Sequence, residues 1–170
     1  MTTFHTTLRT AGMALAALAL TACAQLMRTP PPLGAPLAQV TAQLGQPNAA
    51  YPEADGGQVL EYRGQPMGQF QYMARIGPDG RLVAYDQVLT SENFAKVKVD
   101  HWTKDDILRN FGRPAEVSRV YFHNYEVWSY RYKEAGVWNS MMSVHFDEQG
   151  VVRQMLNGPD PMYDERFRRR

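Results

Sequence analysis

The sequence predicts an α+β protein: a tandem repeat of a short helix plus a three- or four-stranded antiparallel sheet, with the helices packed on one face of a shared curved sheet. Three observations predict it. The body of the chain repeats itself at intervals of 67 to 70 residues. Each copy opens on a short amphipathic segment closed by Gly-x-Pro. Runs that alternate apolar and polar residues follow, bounded by Gly-containing turns. Helices laid on an antiparallel sheet are the layer arrangement that this pattern allows.

The repeat is carried by three matches in order. Leu44-Gly45-Gln46-Pro47 corresponds to Phe111-Gly112-Arg113-Pro114, and Leu60-Glu61-Tyr62-Arg63 to Trp128-Ser129-Tyr130-Arg131. Asp79-Gly80-Arg81-Leu82-Val83 corresponds to Gln149-Gly150-Val151-Val152-Arg153. The chain then divides into a leader (1–22), a lipidated cysteine with a Pro-rich linker (23–36), repeat 1 (37–90), repeat 2 (91–158) and a basic tail (159–170).

The leader holds one basic residue, Arg9, and an apolar run from Ala11 to Leu20. That run is too short to cross a hydrocarbon core of about 30 Å, but it suits a signal peptide. Leu20-Thr21-Ala22-Cys23 resembles the bacterial lipobox, in which small residues fit the peptidase cleft and the cysteine thiol takes the lipid. The expected anchor is therefore Cys23, the only cysteine. Ala24, in place of the aspartate that resembles an inner-membrane retention signal, leans toward the outer membrane, with the body facing the periplasm. Pro30-Pro31-Pro32 and Gly34 read as an extended spacer.

In copy one, Pro36 opens a helix striped by Leu37, Val40 and Leu44 and closed by Gly45 and Pro47. Phe70, Tyr72, Ala74 and Ile76 form the inward stripe of a strand, and Pro78-Asp79-Gly80 is its turn. In copy two, Thr103 is a good N-cap, and Asp105 and Asp106 place negative charge at the positive helix end. Ile107, Leu108 and Phe111 share one face, and Gly112 and Pro114 end the helix. Tyr125–Tyr132 is rich in β-formers, with Trp128, Tyr130 and Tyr132 on one face. Ser140, Met142, Val144 and Phe146 share the matching face of the next strand. Asp147–Gly150 is a hairpin turn, and a last strand starts near Val151.

At this point a family likeness is visible. The stretch Ser91-Glu92-Asn93-Phe94-Ala95-Lys96-Val97-Lys98, followed by the Thr103–Pro114 helix and its Gly-x-Pro end, resembles the SmpA/OmlA domain of BamE-type lipoproteins. His101 and Trp102 stand where family members often carry a small pair. The tandem arrangement resembles the β-lactamase inhibitor protein fold, in which two such units share a curved sheet. The likeness implies an outer-membrane lipoprotein that binds protein. Its partner would be another envelope protein, with the β-barrel assembly machinery as one candidate.

The 170 residues carry 18 Lys+Arg against 17 Asp+Glu, a balance that excludes a nucleic-acid partner recruited by bulk charge. Catalytic patterns are missing: there is no nucleophile elbow, no phosphate loop, and no metal-ligand spacing among His101, His123 and His145. The expectation is a non-enzyme with no cofactor and no metal. Function is expected instead on the sheet face opposite the helices. That face should carry Arg63, Gln71, Met73 and Arg75 from copy one, and Tyr125, Val127, Arg131, Met141, Ser143 and His145 from copy two. Arg, Met and Tyr are enriched in protein interfaces. Arg131 and Arg63, as matched positions, should point away from the helices, and Arg131→Ala should leave stability nearly unchanged. The leading reading is envelope or β-barrel assembly support. The alternatives are an inhibitor-type module that docks its concave sheet on a periplasmic enzyme, or a small-ligand or lipid binder with a large cavity. The tail Arg166-Phe167-Arg168-Arg169-Arg170 reads as a solvated end able to touch anionic head groups.

Overall fold

The computed structural model describes residues 30–121 and 123–164; the leader, Cys23 and the Arg166–Arg170 tail lie outside the described residues. Helix α1 (Leu37–Leu44) leads into strands β1 (Ala49–Pro52), β2 (Gln58–Arg63), β3 (Gln71–Ile76) and β4 (Leu82–Gln87). Helices α2 (Ser91–Phe94) and α3 (Lys104–Phe111) then lead into β5 (Glu116–Val120), β6 (Tyr125–Glu134), β7 (Trp138–Phe146) and β8 (Val152–Pro159). Each set of four strands is an antiparallel meander in sequence order.

The two halves repeat down to single hydrogen bonds. Pro36 bridges Arg81, and Thr103 bridges Val151. The first helical N–H of α1, on Leu37, donates to the Gly80 carbonyl at 3.0 Å, and that of α3, on Lys104, to the Gly150 carbonyl at 2.9 Å. Tyr62 donates its hydroxyl to the Gly45 carbonyl at 3.3 Å, and Tyr130 to the Gly112 carbonyl at 2.9 Å. The strand registers slip at corresponding places, Arg75/Ile76 and His145/Phe146. The body also reaches into the stretch read as linker, because Leu82 N–H donates to the Ala35 carbonyl at 2.8 Å.

Helix α3 starts on a capping box. The Thr103 hydroxyl accepts from Asp106 N–H, and the Asp106 carboxylate accepts from Thr103 N–H at 2.8 Å. Burial works against the Asp106 charge, but the bonds from Thr103 and Arg109 outweigh it and hold the carboxyl below its ordinary range. The helix ends at Gly112, whose φ of 70° is a left-handed value that favours glycine. α2 is capped by Thr90 and delivers Phe94, which stacks on Phe111 at 4.7 Å and meets Tyr132 edge-on at 5.0 Å. Lys104, at the start of α3, pairs with Glu126 at 2.9 Å and sits 5.7 Å from the Trp128 and Phe146 ring centres. That contact, with a bond from the Trp128 indole, holds the Glu126 carboxyl below its usual range.

Two cores result. One lies between α1 and the first sheet: Val40, Leu60, Ala74, Ile76 and Leu82. The larger one joins α2 and α3 to Trp128, Tyr130, Tyr132, Val144, Phe146 and Val152 of the second sheet, and also takes in Val59 and Met73 from the first. Each buried large side chain contributes on the order of 2 kcal/mol. Trp128 is buried, as the alternation predicts.

Three expectations need correction. The strands form two separately hydrogen-bonded sheets, not one shared sheet. The helices do not all lie on one face: α1 covers one face of the first sheet, while α3 packs against its other face and also covers the second sheet. Phe70 is not part of the inward stripe; it precedes β3 and is exposed, because the strand begins at Gln71.

Candidate functional site: one sheet face filled, its counterpart open

On the first sheet, Val59, Glu61 and Arg63 of β2 stand opposite Arg75, Met73 and Gln71 of β3, so these six side chains share a face. Sequence alternation places them correctly on the face away from α1. That face is not open. The turn that ends α3 lies on it. Gln71 donates its side-chain amide to the Phe111 carbonyl, and Arg63 Nη2 donates to the Pro114 carbonyl at 2.7 Å. Glu61 Oε2 accepts from Arg113 N–H at 3.2 Å and from the Tyr51 hydroxyl at 2.5 Å. Burial, reinforced by the Glu61 charge, pushes the Tyr51 hydroxyl well above its ordinary pKa. A Cβ at position 112 would collide with Gln71 Nε2 and stand 2.8 Å from Glu61 Cδ. Gly112 is thus required by both its dihedral and its neighbours. Gln71 and Met73 are buried, and Arg63 and Arg75 are half-buried; Arg75 pairs with Glu53. The four copy-one candidates therefore form a seam between the repeats, not a free surface.

The counterpart face of the second sheet carries Tyr125, Val127, Ser129 and Arg131 of β6 beside His145, Ser143 and Met141 of β7. None of the described helices covers it. Val127, Ser129 and His145 at its centre are nevertheless buried. The Tyr125 ring meets His145 edge-on at 6.4 Å, and burial pushes the His145 imidazole below its ordinary pKa. Ser129 and Ser143 hydroxyls bond across the strands at 3.1 Å. Tyr125, Met141 and Ser143 are half-buried, and Leu156 of β8, in the same row as Ser143, is exposed.

Arg131 departs from expectation. Its side chain is 13% exposed and pairs through Nη1 with Asp160, whose carboxylate is fully buried. Gln65 grips its backbone: Nε2 donates to the Arg131 carbonyl at 2.7 Å, and the Arg131 N–H donates to Oε1 at 3.4 Å. A side-chain amide thus stands where the next strand of a continuous sheet would pair. Arg131 is a structural ion-pair member and not a freely exposed arginine. Asp160 and Gln65 were missed because one falls in the stretch read as tail and the other in a loop. Glu61 left a signal, a carboxylate at a mid-strand position where the repeat has Ser129.

Among the described residues, no group of three or more His, Cys, Asp or Glu is placed to hold a metal ion, and no helix is long and apolar enough to cross a membrane. The chemistry available at the open face is recognition by aromatic, thioether and hydroxyl groups.

No protein-family profile matches the chain, and no curated protein matches it in sequence. Two solved structures bear a loose likeness. One is a DUF4309 family protein, YjgB, from Bacillus subtilis, at 14% identity and a TM-score of 0.29, over 71% of this chain and 74% of that one. The other is a putative beta-lactamase inhibitor protein from Streptococcus mutans, at 14% identity and a TM-score of 0.30, over 74% of this chain and 83% of that one. Likeness at this level carries no argument about activity.

Proposed function

We propose that this is a non-enzymatic, BamE-like lipoprotein, anchored to the outer membrane through Cys23, that binds another envelope protein on the outer face of its second sheet and so supports envelope or β-barrel assembly. The observation that carries the binding role is internal to the molecule. The corresponding face of the first sheet already grips a helix end and its Gly-x-Pro turn, so this sheet geometry is a protein-binding surface within the chain itself. None of the described helices covers its counterpart, which presents Tyr125, Met141 and Leu156 around its buried centre. Aromatic residues and methionine are enriched at interface cores.

The test is site-specific photo-crosslinking in intact envelopes. A crosslinker at Met141 or Leu156 should capture one discrete partner, while one at exposed Val83 of the first sheet should not. Capture from Val83 alone, or from none of the three, overturns the reading. A partner that proves to be a periplasmic enzyme would replace assembly support with the inhibitor role. Cys23→Ser should move the protein from the membrane to the soluble periplasmic fraction; retention through high-salt washing overturns the anchor.

A further inference from the structure

One end of the body gathers exposed apolar side chains from three separate segments. Met67 and Phe70 lie in the β2–β3 connection, Val137 and Trp138 in the β6–β7 hairpin, and Tyr163 in the turn after β8. Met67 and Trp138 are each 69% exposed. Buried Asp160 draws the three segments together. Its carboxylate accepts from Gln69 Nε2 at 3.3 Å, its N–H donates to the Asn139 carbonyl at 3.0 Å, and its carbonyl accepts from Tyr163 N–H at 3.0 Å. Gln65 adds its grip on the Arg131 backbone. The loop, β6 and β7 therefore stand side by side, and neighbouring strands lie about 5 Å apart. We propose that this end of the body is a membrane contact, which lays Trp138 and its apolar neighbours into the headgroup–acyl boundary of a phospholipid bilayer. The inference rests on the membrane location proposed above and adds to it an orientation of the body.

The side-chain chemistry selects a bilayer. Trp and Tyr carry an apolar ring with a polar tip, which suits the boundary between acyl chains and water. Binding at that boundary grows with the apolar area it buries. The chain that continues from Tyr163 supplies the second half of the contact, because Arg166, Arg168, Arg169 and Arg170 follow it closely. At no more than about 3.6 Å per residue, Arg166 stays within about 11 Å of Tyr163. A guanidinium fork pairs with phosphate oxygens, and every phospholipid headgroup carries a phosphate. Glu92, Glu134, Asp164 and Glu165 offset most of the positive charge at this end, so the phosphate and not a net negative surface is what the arginines meet, and a zwitterionic bilayer suffices. The linker joins the body at the other end of the first sheet, where Gly34 and Ala35 bond to Leu82. An anchor on an extended spacer holds the chain to a membrane without setting which way the body faces. Anchor and tip are two separate points of attachment, and together they set that direction.

The test reconstitutes the full chain, purified from envelopes, into phosphatidylcholine vesicles with and without lipid brominated near the headgroup end of its acyl chains. Bromine quenches only tryptophan that reaches the bilayer. Trp128 is buried and Trp102 half-buried, so the difference between the native chain and Trp138→Phe isolates the Trp138 emission. Brominated lipid should reduce that emission at least about twofold. Met67→Ser with Val137→Ser, both at exposed positions, should remove most of the quenching while Trp138 is still present. Arg168→Ser with Arg169→Ser should weaken it. Tyr121→Ser, at an exposed turn away from this end, should leave it unchanged. Vesicle flotation reads the anchor separately. A chain that floats with Trp138 unquenched overturns the contact and leaves the anchor standing, and a chain that does not float overturns both. Quenching that ignores the Met67 and Val137 substitutions, or that Tyr121→Ser removes equally, also overturns the contact.

Discussion

The two sheets share strand order, register irregularities and helix-end hydrogen bonds, yet their outward faces lead different lives. On the first, Glu61, Arg63 and Gln71 hold the backbone of the Gly112–Pro114 turn. At the matching positions the second carries Ser129, Arg131 and Met141. Arginine is kept, but its work changes: Arg63 donates to a carbonyl of the other repeat, whereas Arg131 neutralises buried Asp160. The comparison teaches that backbone geometry sets where a face lies. The donors and acceptors on it decide what it holds. A helix end presents unpaired carbonyls, so a face with an arginine and a carboxamide captures it, and a face with a methionine and two paired serines does not.

The largest expected effect lies at the seam. Gly112→Ala must force its Cβ against Gln71 and Glu61 while keeping a left-handed dihedral, so it should cost about 4 kcal/mol in urea unfolding. Gly80→Ala, with φ of 75° and open space around it, should cost about 1 kcal/mol. Equal losses would show that the dihedral alone, and not the docking of the turn, requires Gly112. Next comes Arg131→Ala, which strands the buried Asp160 carboxylate and should cost about 3 kcal/mol. A change within about 0.5 kcal/mol would return Arg131 to the free surface.

The matched pair Gln71→Ala and Met141→Ala sharpens the contrast further. Gln71 is buried and bonded to the Phe111 carbonyl, so its loss should cost about 2 kcal/mol. Met141 is half-buried on the open face, and its loss should cost under about 1 kcal/mol while reducing partner capture. Similar destabilisation by both would mean that the second face is covered as the first is.

The smallest effect is on pH dependence. Burial lowers the His145 pKa in the folded state. The unfolded chain then takes up a proton that the folded chain resists, so stability falls as pH drops below about 6.5 and is unaffected above it. His145→Gln should flatten that part of the stability profile, measured by unfolding from about pH 7 to pH 5. A slope that persists unchanged would place the responsible group elsewhere.

Local chemistry made most elements legible in the sequence. Thr103 and Gly112 bound α3 at Lys104–Phe111 because a hydroxyl acceptor and a left-handed glycine are needed at helix ends whatever surrounds them. Trp128, Tyr130 and Val144 fell on the core face because side chains alternate along any strand. Alternation also put Arg63, Gln71, Met73 and Arg75 together, and the spacing of the repeat matched them to the second-sheet residues. Those conclusions depend on neighbours a few residues apart. What covers a face depends on chain segments 40 to 91 residues away, as in the bonds from Gln71 to Phe111 and from Gln69 to Asp160. No period in the sequence encodes that distance. Only the tertiary structure therefore decided that one face became a seam and the other stayed open, that two sheets formed instead of one, and that Arg131 answers a buried carboxylate.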